Sequence, residues 1–257
     1  MEPRDWQSGV AEVVLEMIAP LERERAGPVR VLEAGCGAAP IARCVAAASA
    51  AEITCCDAVE PAELPERARF ERVDLSEPLP FLDESFDVVT CTEVLEHLKA
   101  QFLALDQLAR VLRTGGLLFL TLPNYWNARH RWRYLLTGNF STSRFFDPKA
   151  RGWYRENICP HIASTTLPMF EYALASMGLA VEAFRVGVDP GRSRLFWPVA
   201  AGIRFVNLFR KPRLARRLML AHTNRWRILV GGEHIMLRCR KVGFDNVPYD
   251  VEPLSHV

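Results

Sequence analysis

No stretch of this chain approaches the roughly 18–20 uninterrupted apolar residues of a membrane-spanning helix. Its opening, "MEPRDWQSGV", also lacks the basic-then-apolar order of a signal peptide. A cytoplasmic protein, at most peripheral to the inner face of the membrane, is the expectation. The seven cysteines include no CxxC pair and are scattered singly, apart from the neighbours Cys55 and Cys56. A disulfide framework is therefore excluded, and reduced, mostly buried thiols are expected. Internal repeats and low-complexity tracts are absent too. The sharpest absence is of acid: residues 191–227 hold ten Lys or Arg and no Asp or Glu.

What is present suits one domain of ordinary size, or one domain with a substantial insertion. The chain has 257 residues, 49% of them apolar, enough for a large core. Its formal net charge of +2 conceals an asymmetry. Residues 1–125 carry 11 Lys+Arg against 21 Asp+Glu, a balance of −10, and residues 126–257 carry 21 against 9, a balance of +12. A basic second half points to an anionic partner: phosphate, nucleic acid or a membrane surface.

Before residue 125, short apolar runs alternate with helical stretches, the pattern of an α/β domain with a parallel sheet. Strands are predicted at 29–34, 52–56, 69–73, 86–91 and 116–122, with helices at 8–24, 39–49 and 93–112. The last of these helices should stop at the glycines of "LRTGG". After 125 the rhythm breaks. Residues 124–165 are aromatic, basic and turn-rich, and read as a lid or insertion. A helix at 164–178, a strand at 180–187, a basic amphipathic insertion at 188–230 and a closing strand in "GGEHIMLRCRKV" complete the pattern.

"VLEAGCGAAP" places Glu33, Gly35 and Gly37 where the first strand gives way to a helix. Glycine there lets a ligand approach the backbone, and a helix start offers unpaired N–H groups. The next strand ends at Asp57, about 20 residues on, the place where an acid binds ribose hydroxyls in nucleotide-binding α/β folds. Asp74 stands at a third strand end. In such sheets, ligands lie across the carboxyl ends of the strands.

Taken with "CCDA", "RVDL", "FDVVTCTEVLEHL" and "RVLRTGGLLFLTLPN", the chain resembles the class I S-adenosylmethionine-dependent methyltransferases over residues 29–124. A third glycine, usual in nicotinamide enzymes, is replaced here by "AAPI". The resemblance implies a single domain over 1–257 with a Rossmann-like, doubly wound, seven-stranded sheet. That sheet would be mostly parallel with an antiparallel last strand, and insertions would follow strand 5 and separate strands 6 and 7. It also implies that Glu33 faces the methionine end of S-adenosylmethionine, that Gly35 and Gly37 form the loop beneath it, and that Asp57 holds the ribose. Asp74 and Leu75 would edge the adenine, and Cys91 or Thr92 would lie under the sulfonium.

In "CTEVLEHL", a helix starting after the fourth strand would put Glu93, Glu96 and His97 on one face of its first turns. Two carboxylates and an imidazole crowded together are costly unless something positive lies between them. Three readings stand side by side. Thr90 and Glu93 could form a capping box that leaves Glu96 and His97 merely polar. The group could hold Mg²⁺, Mn²⁺ or Zn²⁺ through Glu93, Glu96, His97 and a distant His161. His97 or His161 could be a general base without any metal, whereas with a metal the proton of the bound hydroxyl could pass to Glu93, Glu96 or a His. "ExxEH" with a later His resembles metal-dependent small-RNA 3′-end 2′-O-methyltransferases, and "EVLEH" resembles ubiquinone-pathway O-methyltransferases.

The acceptor is read from the second half. "LFWPVAAGIRFVNLFRKPRLARRL" mixes large apolar residues with Arg204, Arg210, Lys211 and Arg213, and positions 199, 203, 206 and 209 approximate one helical face. That suits an anionic membrane surface or a cap on a phosphate-bearing substrate. The insertion resembles methyltransferases of bacterial surface-glycan and lipid pathways, with Tyr125, Trp126 and Trp132 as stacking surfaces. A sugar hydroxyl on a glycan, or on a lipid-linked or phosphorylated small molecule, is the expected acceptor. RNA ranks behind it, and a non-catalytic S-adenosylmethionine-binding protein is the alternative outside enzymology.

Overall fold

Strands buried on both faces are apolar almost throughout, and the runs in the first half have that character. The computed structural model describes residues 6–24, 26–139, 161–163, 165–187, 192–217 and 220–247. Its strands are β1 (Arg30–Ala34), β2 (Glu52–Asp57), β3 (Ala68–Arg72), β4 (Phe86–Thr92), β5 (Leu112–Pro123), β6 (Leu179–Val186) and β7 (His234–Lys241). They form one sheet in the order β3-β2-β1-β4-β5-β7-β6. Pairings among the first five strands are parallel, whereas β7 runs antiparallel to both β5 and β6. The expected Rossmann-like sheet with its reversed last strand is therefore present.

Side chains alternate between the two layers of the core. On one face Val31, Ile53, Val88 and Phe119 pack against α1 (Trp6–Glu24) and α2 (Pro40–Ala48). On the other, Leu32, Val89 and Leu120 pack against α3 (Gln101–Val111) and α5 (Leu167–Ser176), while α4 (Ala128–Thr137) intervenes in sequence. In α1, Val10, Val14, Met17, Ile18 and Leu21 recur at helical spacing and are buried. The basic stretch folds as a 3₁₀ turn (Arg192–Phe196) and four helices: α6 (Trp197–Leu208), α7 (Pro212–Arg217), α8 (Leu220–Thr223) and α9 (Trp226–Val230). A small third core joins Ala128, Ala200 and Leu229.

Three local expectations are corrected. The helix expected at 93–112 is a 3₁₀ turn (Leu95–His97) followed by the shorter α3, so Glu93, Glu96 and His97 do not share a helical face. Glu93 has φ 55°, outside the helical region, and Thr90 lies inside β4, so no capping box forms. α3 stops at Val111, and the glycines of "LRTGG" lie within β5, which starts at Leu112 rather than 116. The single amphipathic face through 199, 203, 206 and 209 is also split. Val199 and Ile203 turn inward, while Val206 and Phe209 are exposed. Of the two insertions expected in sequence, residues 140–160, 164, 188–191 and 218–219 lie outside the described residues.

Candidate functional site

Parallel strands deliver their carboxyl ends to one edge of the sheet, and the loops there carry the polar groups. After β1, Glu33 is buried, and its carboxylate accepts N–H bonds from Ile41 (3.3 Å) and Ala42 (2.7 Å) in the first turn of α2. Burial nevertheless raises its pKa to about 7. Gly35 and Gly37 have φ of 68° and 52°. A Cβ on Gly35 would come within 2.3 Å of Val94 Cγ2, whereas one on Gly37 would meet nothing within 4 Å. Gly35 thus serves close packing, and Gly37 borders open space that a ligand can enter.

Asp57 ends β2 beside that space. Its Oδ2 accepts the Gly37 N–H at 2.9 Å and its Oδ1 the Val59 N–H at 3.2 Å, which leaves lone pairs for further donors. Asp74 accepts the Ser76 N–H at 2.8 Å in a short turn after β3, and Leu75 is buried. Cys91 is buried in the layer shared with α3, and that burial lifts its thiol well above the ordinary range. Thr92, the last residue of β4, is only half-buried.

A second group gathers where β4, β5 and β7 end or begin. Because β7 runs backwards, its first residue, His234, pairs with Pro123 at the carboxyl end of β5. His234 Nδ1 lies 2.9 Å from Glu93 Oε2, and this carboxylate raises the imidazole pKa. Thr121 Oγ1 closes the other side, accepting the Glu93 N–H and donating to Glu93 Oε1, both at 2.9 Å. This clasp holds Glu93 in its left-handed conformation.

Glu96 is different. It is 1% exposed, and neither carboxylate oxygen has a hydrogen-bond partner among the described residues. Burial, and then the charge of Glu93, push its pKa well above the carboxylate range. One ligand atom from each of Glu96, His97 and His161 lies within 4.8 Å of the other two, and this trio is the metal-capable cluster among the described residues. The Ala163 N–H donates to the Glu96 carbonyl at 3.1 Å, which fastens the His161 segment to the turn. The rings of His97 and His161 meet edge to face at 4.8 Å, and His161 Nδ1 lies 2.8 Å from the Tyr125 hydroxyl. Burial lowers the His161 pKa, favouring the neutral ring.

Sequence reasoning brought together Glu33, Gly35, Gly37 and Asp57 in one loop pair, and Glu96, His97 and His161 in the other cluster. Glu93 adjoins the second cluster but is engaged by Thr121 and His234. Sequence reasoning missed Thr121, His130, Glu233 and His234. His130 Nε2 lies 3.1 Å from Glu233 Oε2 behind Tyr125, whose ring meets that of His130 at 5.8 Å. "GGEH" opening a reversed strand was the available signal, since reversal brings the start of that strand to the carboxyl edge.

A model of the methyltransferase domain matches residues 32–120, from β1 to β5. A probable S-adenosylmethionine-dependent methyltransferase of Mycobacterium tuberculosis is 38% identical over 120 residues, which is 44% of this chain and 41% of that protein. The 27-O-demethylrifamycin SV methyltransferase of Amycolatopsis mediterranei is 36% identical over 115 residues, 39% of this chain and 42% of its own. The matched segment is thus less than half of each relative. Among solved structures, the cyclase SpnF superposes with a TM-score of 0.54 over 91% of this chain and 81% of its own, at 22% identity. That likeness is one of fold.

Proposed function

With a class I methyltransferase domain over residues 32–120 as the premise, we propose that the chain transfers a methyl group from S-adenosylmethionine to a hydroxyl of a glycan or lipid-linked acceptor. The observation that carries the S-adenosylmethionine part of this reading is the Gly37–Asp57 pair. A left-handed glycine with open space at its Cβ position stands beside a strand-end carboxylate that keeps free lone pairs. The residues fit the cosubstrate: Asp57 accepts from the ribose hydroxyls, Asp74 and Leu75 flank the adenine, and Gly35 and Gly37 keep side chains away from the methionine portion. Cys91 or Thr92, at the end of β4, would border the sulfonium, and Glu33 supports the glycine loop by accepting N–H bonds from α2. The described helices of the second half, α4 and α6 to α9, would form the acceptor side, which works at the cytoplasmic face of a membrane.

S-adenosylmethionine, when bound, supplies a methyl on a positively charged sulfur. His161, neutral and oriented by Tyr125, takes the proton of the acceptor hydroxyl as its oxygen forms the new bond to carbon and the carbon–sulfur bond breaks. Glu96, His97 and His161 would hold a divalent cation, whose charge would make that hydroxyl more acidic. The orphaned carboxyl of Glu96 supports this, because two buried oxygens without hydrogen-bond partners can take a cation in place of the proton that burial otherwise favours. With His97 and His161 as ligands, the proton would pass to Glu93 instead.

Calorimetry tests both parts. S-adenosylhomocysteine is expected to bind the wild type, and Asp57→Ala to weaken it by roughly tenfold or more through lost hydrogen bonds to a charged acceptor. Unchanged affinity would remove Asp57 from the site. Chelator-treated protein is then titrated with Mg²⁺, Mn²⁺ and Zn²⁺. Binding by the wild type that disappears in His161→Ala supports the metal, and no binding by the wild type leaves the metal-free base.

A further inference from the structure

A helix packed on a domain normally presents one apolar face to its neighbours, yet α6 is apolar on two sides. Val199, Ala200 and Ile203 pack inward against the third core. At its outer end Phe205, Leu208 and Phe209 are 61%, 77% and 75% exposed, and the two phenyl rings meet edge to face at 5.0 Å. Arg204, Arg210, Lys211 and Arg213 are exposed around them, and residues 191–227 contain no acid to offset their charge. Clustered apolar side chains rimmed by cations that form no ion pair among the described residues match an interfacial helix. Such side chains enter the acyl boundary while the cations meet headgroup phosphates.

We propose that the outer end of α6, with the residues that follow it to α7, docks the protein on an anionic lipid bilayer. A cavity of about 720 Å³ adjoins the patch, within the range of small-molecule sites. Trp126, Pro168, Ile203 and Val206 make its walls mostly apolar, and Arg210 belongs both to the cavity and to the docking rim. Tyr125 forms another part of the lining while its hydroxyl contacts His161. The cavity therefore adjoins the bilayer patch through Arg210 and is linked to the polar cluster through Tyr125. Resting on the methyltransferase reading, this assigns the acceptor class: a hydroxyl compound carrying an apolar chain and an anionic group, presented from the membrane.

Flotation of the full chain with vesicles of phosphatidylcholine, with and without phosphatidylglycerol, tests the docking. Binding is expected with phosphatidylglycerol, weaker binding without it, and partial release by added salt. Phe205→Ser/Leu208→Ser/Phe209→Ser should lower vesicle partitioning by on the order of tenfold or more while S-adenosylhomocysteine affinity is kept. These three side chains lie outside the cavity lining. Should the triple variant unfold, Lys211→Glu/Arg213→Glu provides the second test and should abolish the preference for phosphatidylglycerol. A full chain that ignores anionic vesicles overturns the proposal, as do variants that bind like the wild type. So does a patch that joins two copies, seen as a dimer that the triple variant dissociates and that does not bind vesicles. Vesicle binding without S-adenosylhomocysteine binding would retain the docking surface and remove the acceptor class.

Discussion

Glu33 and Glu96 are both buried carboxylates with raised pKa values, yet their surroundings differ. Glu33 accepts two N–H bonds from α2, so its charge is partly met, whereas Glu96 meets no donor among the described residues. Glu33 gives a pH prediction with a definite sign. Its folded pKa of about 7 lies above the ordinary 4.5, so between those values the folded state keeps a proton that the unfolded state has released. The Glu33 contribution is complete below pH 4.5 and is lost as pH rises through 7, by on the order of 3 kcal/mol. Urea unfolding of metal-free, ligand-free protein at several pH values checks this. Glu33→Gln should flatten the decline across that window, and His161, His234 and Glu96 cancel in the comparison because both proteins contain them. Equal slopes would show that Glu33 is solvated in the native state.

At the scale of elements, the loop after β1 separates two uses of glycine. Gly35→Ala combines a φ of 68° with a 2.3 Å approach to Val94, and should destabilise by about 2–3 kcal/mol. Gly37→Ala has only the backbone strain, about 1–2 kcal/mol, but places a methyl group beside Asp57, so its larger effect should be on S-adenosylhomocysteine affinity. Thermal unfolding and calorimetry on the pair separate the two effects; Gly37→Ala with unchanged affinity would place the ligand elsewhere. The strands were legible in sequence because buried parallel strands are continuous apolar runs, and "FDVV" and "GLLFLTL" are such runs, each too short for an ordinary helix. The turn holding Glu96 was not legible. Its spacing satisfies a helix, but the chain first crosses from β4 with Glu93 left-handed, a conformation secured by Thr121 from the next strand. Local periodicity carries no information about such a distant clasp. His234 was hidden for a related reason: its place beside Glu93 follows only once β7 is known to run against β5.

At the scale of the molecule, the acidic first half and the basic second half are joined across β5 and β7, and Asn124 is the joint. This residue is fully buried, and its Nδ2 donates to the carbonyls of Ile228 (3.1 Å) and Gly232 (3.0 Å) while its own N–H donates to the Glu233 carbonyl. It therefore ties the end of β5 to the segment that leads from α9 into β7. That segment carries Glu233 to Arg129 and His130, and His234 to Glu93. Asn124→Ala would leave two buried carbonyls without donors, an expected loss of about 2–4 kcal/mol. Asn124→Asp keeps the shape but replaces the donor with an acceptor, so it should do no better. If the joint also positions the second cluster, hydrogen exchange in Asn124→Ala should accelerate over residues 226–241 before it changes in α1 and α2, which belong to the opposite core layer. Uniform acceleration of all these elements would mean instead that the two halves unfold as one unit, with Asn124 contributing to global stability alone.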